Sequence, residues 1–189
     1  MTKILLLGSG FLGSAIFARL YAINNVDITI LDRKDPMSII SANYDSQRIM
    51  ERYAKDFDYN DVYNEKQYGD EKRKTFFKFR FIDWINEKFE GDNSYDIVIH
   101  SGSIYDTRYS EVNETETLNV NIRGTKNIID NLKGNPLFIY LSSINVYGDQ
   151  ANYPQEEIDE DHTIPNPRSF LNYTLYSAEN MIKSSNLII

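Results

Sequence analysis

Three glycines and one aspartate are the residues of this 189-residue chain whose types and spacing could act together chemically: Gly8, Gly10, Gly13 and Asp32. Gly8 permits a tight turn. Gly10 carries no side chain, so backbone N–H groups can approach a diphosphate, and Gly13 lets a following helix pack close to a sheet. The N-terminus of that helix presents unpaired N–H groups and a positive dipole end to phosphate charge. Asp32 follows Gly13 by 19 positions. A carboxylate there can accept hydrogen bonds from both hydroxyls of an adenosine ribose and repel a 2′-phosphate, which favours NAD over NADP. Arg33, directly after it, weakens that preference.

The elements that must position these residues are readable. Lys3 to Leu7 is a short apolar run leading into Gly8-Ser9-Gly10-Phe11-Leu12-Gly13. A helix is predicted over about Phe11 to Asn24, with Leu12, Ile16 and Leu20 on one face. A second apolar run, Ile28 to Leu31, ends on Asp32. A bare G-x-G-x-x-G is a weak signal, and a ligand-free glycine turn is the bland alternative. The flanking strand, helix and acid make it a strong one.

Beyond Asp32, residues 35–74 form a polar insertion, read as a helix over Ser38 to Phe57 and surface loop over Asp58 to Lys74. The charge run Asp70-Glu71-Lys72-Arg73-Lys74 is expected to be a solvated connection. Strand three is predicted at Phe76 to Phe81 and strand four at Tyr95 to His100. A long helix over Asn113 to Leu132 is stopped by Gly134-Asn135-Pro136. Strand five is Leu137 to Leu141. A polar, acidic loop covers Gly148 to Arg168, a last helix Ser169 to Ser184, and Asn186 to Ile189 starts a sixth strand. Strands alternating with helices imply a doubly wound parallel sheet of the Rossmann-like α/β class, order 3-2-1-4-5 with the start of 6. Residues 1–189 read as one domain.

Composition narrows the partners. The net charge is −8, which repels phosphate backbones and anionic lipid surfaces, so neither nucleic acid nor membrane is expected. There is no cysteine and there are two histidines, so no metal site is expected. No apolar run is long enough to span a bilayer and the N-terminus does not read as a signal peptide, so a cytoplasmic location is expected. A homo-oligomer stays open.

With strand five read, the chain resembles the NAD-dependent epimerase/dehydratase family, the extended branch of the short-chain dehydrogenase/reductases, over almost its whole length. Gly8 to Ser14 resembles the family's cofactor loop, including the Phe11-Leu12 pair. Asp83, followed by Trp84 after strand three, matches an acid that contacts the adenine. His100-Ser101-Gly102-Ser103 matches the small-residue segment that passes beside the cofactor. Asn121-Ile122-Arg123-Gly124-Thr125 matches the family's Asn-x-x-Gly-Thr, and Leu141-Ser142-Ser143-Ile144-Asn145-Val146-Tyr147-Gly148-Asp149 its strand-five motif. The resemblance implies bound NAD, a nucleotide-sugar substrate, and epimerisation, dehydration or reduction by hydride exchange. It gives Ser143 the hydrogen bond to the reacting sugar oxygen and leaves Ser142 beside the cofactor. Taken singly, His100 reads as a satisfied strand-end histidine, Asn121 as a brace of its helix, and Ser142-Ser143 as a turn.

The family's Tyr-x-x-x-Lys, four apart on one helical face, serves as proton donor and acceptor with its supporting cation. Aligned on Glu179, this sequence has Leu171 and Leu175 there. A two-residue gap would instead recover Tyr173 as the acid, still without a lysine; Tyr173 and Tyr176 otherwise read as packed or surface aromatics. The resemblance also implies a C-terminal substrate lobe, of which the sequence is expected to lack most.

Overall fold

Strand periodicity divides the apolar residues between two faces. In a strand successive side chains point to opposite sides, and in β1 (Thr2–Leu7) Ile4 and Leu6 enter one core cluster while Leu5 and Leu7 enter another. Both faces of β1 are therefore covered, as a central parallel strand requires. The computed structural model describes residues 1–33, 44–52, 66–88, 93–152, 158–159, 161–185 and 187–188.

After β1 come α1 (Phe11–Tyr21), β2 (Val26–Asp32), α2 (Tyr44–Glu51), β3 (Tyr68–Asp70), β4 (Thr75–Phe81) and β5 (Ile97–His100). Then follow α3 (Thr107–Val112), α4 (Glu114–Leu118), a π-turn (Asn119–Gly124), α5 (Thr125–Asn131), β6 (Leu137–Tyr140), a 3₁₀ segment (Ile144–Asn152) and α6 (Phe170–Lys183). The sheet order is β3-β4-β2-β1-β5-β6. Parallel pairing matches Leu7 with Leu31 and with His100, Asp32 with Phe81, and His100 with Tyr140. The carboxyl ends of five strands thus lie along one sheet rim. The chain moves outward in opposite directions from β1, to β2 on one side and β5 on the other, which opens a crevice at their ends.

The structure departs from the expectations at several points. The sheet is mixed: β3 pairs antiparallel with β4, Tyr68 opposite Phe77 and Asp70 opposite Thr75, where sequence predicts loop. Its charged neighbours make the hairpin turn, in which the Asp70 carboxylate accepts from the backbone N–H groups of Lys72 (3.0 Å) and Arg73 (3.3 Å). Of the predicted helix over 38–57, α2 and a turn at Arg52 are described; residues 38–43 and 53–57 lie outside the described residues. The predicted helix over 113–132 is not regular, because the π-turn interrupts it. α1 stops at Tyr21, and Asn25 takes φ 63° to turn the chain into β2. The start of strand six is one parallel bridge, Leu137 with Ile188.

The α1 side of the sheet is an aromatic cluster. Phe77 is fully buried and packs edge-on to Phe17 (5.2 Å), Tyr21 (5.6 Å) and Phe79 (5.9 Å), with Tyr68 stacked on it at 5.6 Å. Each such ring pair contributes about 0.5–1.5 kcal/mol beyond area burial. On the opposite face Trp84, Val98, Val120, Ile128, Phe138 and Ile182 pack against Leu5 and Leu7.

Candidate functional site

Gly8 leaves β1 with φ 81°, a left-handed conformation that costs glycine little. A Cβ here would stand 2.5 Å from Gly102 Cα, so the glycine turn and the segment after β5 touch backbone to backbone. Gly13 lies still tighter: its Cβ would fall 1.9 Å from the Gly8 carbonyl oxygen. Ser101 fastens the same junction, its Oγ donating to the carbonyls of Leu7 and Gly8, both at 2.9 Å.

Gly10 differs from both. It is the N-cap of α1, with φ −64° and ψ −160°, and among the described residues no side chain caps the helix and a Cβ on it would meet nothing within 4 Å. The N–H groups of Phe11, Leu12 and Gly13 have no intrahelical acceptor by helix geometry. Phe11 and Leu12 project outward, 74% and 46% exposed. An open, side-chain-free space over unpaired N–H groups fits a diphosphate.

Asp32 is buried, and its Oδ2 accepts from Ser9 N (2.7 Å) and Ser9 Oγ (3.0 Å). The carboxylate predicted to meet a ribose therefore also fastens the glycine turn to the end of β2. Arg33 Nη2 forms an ion pair with Glu116 Oε1 on α4 at 3.0 Å, and Tyr109 Oη on α3 donates to the other oxygen of that carboxylate. This hydrogen bond is the first cause of a raised Tyr109 pKa. Arg33 and Glu116 border a cavity of about 830 Å³, with Ile85, Asn86, Glu111 and Glu114 also on its walls.

Asp83 closes its own turn, accepting from Ile85 N (3.2 Å) and Asn86 Nδ2 (2.7 Å). Trp84 is buried. Its ring lies under two glycines, whose Cβ atoms would approach it to 3.0 Å at Gly102 and 2.2 Å at Gly124. It supports the rim from beneath.

His100 is fully buried and meets Trp84, Phe138 and Tyr140 edge-on. The Gly102 N–H donates to its Nδ1 (3.2 Å), and its Nε2 lies 3.0 Å from Thr125 Oγ1, which donates to Asn121 O. Those partners assign a neutral ring protonated on Nε2. Burial depresses its pKa to about 3 from the ordinary 6.5. A depressed pKa means that the unfolded chain binds the extra proton between those values, so stability is present above pH 6.5 and lost as pH falls toward 3. Urea unfolding at pH 7 and pH 5 should show a loss about 2 kcal/mol larger in the wild type than in His100→Asn. Equal pH dependence in the two proteins would refute the buried neutral ring.

Asn121, also fully buried, sits in the π-turn, a feature frequent at functional sites. Its Oδ1 accepts from Ile104 N (2.7 Å), and its Nδ2 donates to Ile104 O (3.2 Å) and Thr174 Oγ1 (2.9 Å). It braces the loop after β5 against α6. Asn121→Ala strands both Ile104 backbone groups, and we expect a loss of about 2 kcal/mol in urea unfolding; a change under a few tenths would contradict the brace.

At the end of β6, Ser142 Oγ donates to Glu179 Oε1 on α6, and half-buried Ser143 accepts from Asn145 N at 3.3 Å. Ser103 Oγ lies 3.2 Å from Tyr140 Oη, and Tyr105 Oη donates to Leu141 O. Burial raises both phenol pKa values, that of Tyr105 to about 12. On α6, Leu171 and Leu175 are buried and pack with Val146, with Ile104, Tyr105, Tyr140, Tyr147 and Tyr176 against them. Tyr173 faces outward, 56% exposed.

The glycine turn, Asp32, Ser101 and Gly102 therefore come together, and Ser142 and Ser143 share the rim. His100, Asn121 and Trp84 stand behind it as supports. Sequence reading missed Glu116, Tyr109, Thr174 and the role of Glu179; none carries a local motif, since each acts on a residue of another element.

Comparisons with known proteins agree with this layout. The NAD dependent epimerase/dehydratase family matches residues 4–186. No curated protein matches the chain. Among solved structures, the UDP-Glc/GlcNAc 4-epimerase of Campylobacter jejuni is 19% identical with a TM-score of 0.65, over 97% of this chain and 48% of its own. A UDP-glucuronic acid 4-epimerase variant from Bacillus cereus, in complex with a fluorinated UDP-sugar and NAD, is 20% identical with a TM-score of 0.66, over 98% and 54%. The UDP-glucose 4-epimerase of Bifidobacterium longum, in complex with NAD+ and UDP, is 17% identical with a TM-score of 0.60, over 96% and 48%. These likenesses establish a shared fold, and the chain spans about half the length of those proteins.

Proposed function

We propose, from the premise that this chain belongs to the NAD dependent epimerase/dehydratase family, that it binds NAD at the glycine turn and is a nucleotide-sugar epimerase-like protein. One observation carries the reading: the open N-terminus of α1 above Gly10, backed by Gly8, Gly13 and Ser101 and flanked by the Asp32 carboxylate. The N–H groups of Phe11 and Leu12 would hold the diphosphate, and Asp32 would accept from the adenosine ribose hydroxyls. When bound, NAD supplies a hydride acceptor and donor at its nicotinamide.

The remaining roles belong to the chain. Glu179 holds Ser142, which steadies the exit from β6, so the neighbouring Ser143 hydroxyl can donate to a sugar oxygen at the rim. Tyr173 is the candidate proton donor left by the sequence, and its 56% exposure on α6 gives it access to solvent.

A second reading, dinucleotide binding without turnover, is favoured by the packing of α6. With the ungapped alignment on Glu179, Leu171 and Leu175 would stand where a proton-transferring tyrosine and its lysine belong, and both are buried in an apolar cluster. Calorimetry with NAD, followed by incubation with a panel of UDP-sugars and NMR of the sugar, separates the readings. An altered sugar supports the first. NAD binding with every sugar unchanged supports the second, and no NAD binding removes both.

A further inference from the structure

We infer that Glu116 sets the choice of dinucleotide by holding Arg33 away from a 2′-phosphate, an inference that rests on the proposed NAD site. In a dinucleotide site of this kind, an arginine near the acid at the end of β2 can accommodate the 2′-phosphate of NADP. Arg33 stands there, yet its Nη2 is 3.0 Å from Glu116 Oε1. Tyr109 Oη donates to Glu116 Oε2, so the carboxylate is tethered at one oxygen while the other faces the guanidinium. α3 and α4 carry the two residues on consecutive helices, with Asn113 between them.

The surrounding charge acts in the same direction. Among the described residues on the walls of the cavity of about 830 Å³, Arg33 is the one cation, beside Glu111, Glu114 and Glu116. An ester phosphate at the ribose would meet Asp32 and an arginine already neutralised by Glu116. The ribose hydroxyls of NAD carry no such charge and need only acceptors. The preference for NAD thus has two parts: Asp32 accepts from the hydroxyls, and Glu116 withdraws the cation that would otherwise offset its repulsion of a phosphate.

Glu116→Gln tests this cleanly. It keeps an acceptor for Tyr109, removes the charge, and changes a surface pair whose loss costs little stability. NAD and NADP are titrated by calorimetry into the wild type, Glu116→Gln, and Glu116→Gln combined with Arg33→Ala. The wild type should prefer NAD. Glu116→Gln should bind NADP about fivefold tighter than the wild type with NAD affinity unchanged, and the added Arg33→Ala should cancel the gain. NAD binding by all three proteins with NADP affinity unaltered in Glu116→Gln overturns the inference alone. A gain that survives Arg33→Ala also overturns it, because the cation would then have no part. Failure of the wild type to bind NAD overturns the site reading and this inference with it.

Discussion

Gly10→Val should abolish NAD binding and leave the fold standing. The position takes φ −64°, and a Cβ there meets nothing within 4 Å among the described residues, which leaves room for the valine. The cost should be confined to a poorer helix N-cap, about 1 kcal/mol. The same methyl groups would occupy the space into which a diphosphate must enter to reach the α1 N–H groups. Calorimetry should show affinity reduced at least about 100-fold, with circular dichroism and the urea midpoint close to wild type. Retained tight binding would remove the glycine turn from the site.

Gly13→Ala should do the reverse and damage the protein itself. Its Cβ would fall 1.9 Å from the Gly8 carbonyl oxygen and 2.9 Å from the Gly8 carbonyl carbon. Both are backbone, pinned by the two hydrogen bonds of Ser101 and by Gly8 N donating to Leu31 O at 2.9 Å. No side chain can rotate away, so α1 must back off from the turn. A loss of about 3 kcal/mol is expected in urea unfolding, with NAD binding weakened as the turn shifts. A variant of unchanged stability would mean that the helix does not approach the turn this closely. Two glycines three residues apart in one motif thus separate ligand space from packing space.

The parallel core was legible because it is written in short range. Apolar runs such as Leu5 to Leu7 and Ile97 to Ile99 bracket helical stretches, and their alternation determines sheet class. β3 was not, because it is three residues long and sits among charges. Only Tyr68, buried on Phe77, separates it from a loop, and the pairing that makes it a strand is visible from β4 alone. The site divides in the same way. Gly8, Gly10, Gly13 and Asp32 are recognisable because glycine and a strand-end acid have few other reasons to stand at those intervals. The contacts of Asn121 with Ile104 and Thr174, of Ser142 with Glu179, and of Arg33 with Glu116 join elements 17, 53, 37 and 83 positions apart. Interactions at that range leave no local pattern. Asn121 and His100 show the result: the bland readings of a helix brace and a satisfied strand-end histidine describe their contacts well, and those contacts are what hold the rim.

The wide turn at Asn119–Gly124 has a consequence for how the chain can vary. One extra residue in a helix swings everything beyond it by about 100°. Asn121 can therefore face Ile104 while Ile128, a few positions on, still joins the core cluster that holds Val98 and Phe138. Excising one residue there would wind the stretch into ordinary helix and turn Ile128 toward solvent, although no buried side chain had been altered. In this stretch, bearing depends on the count of residues as much as on their kind.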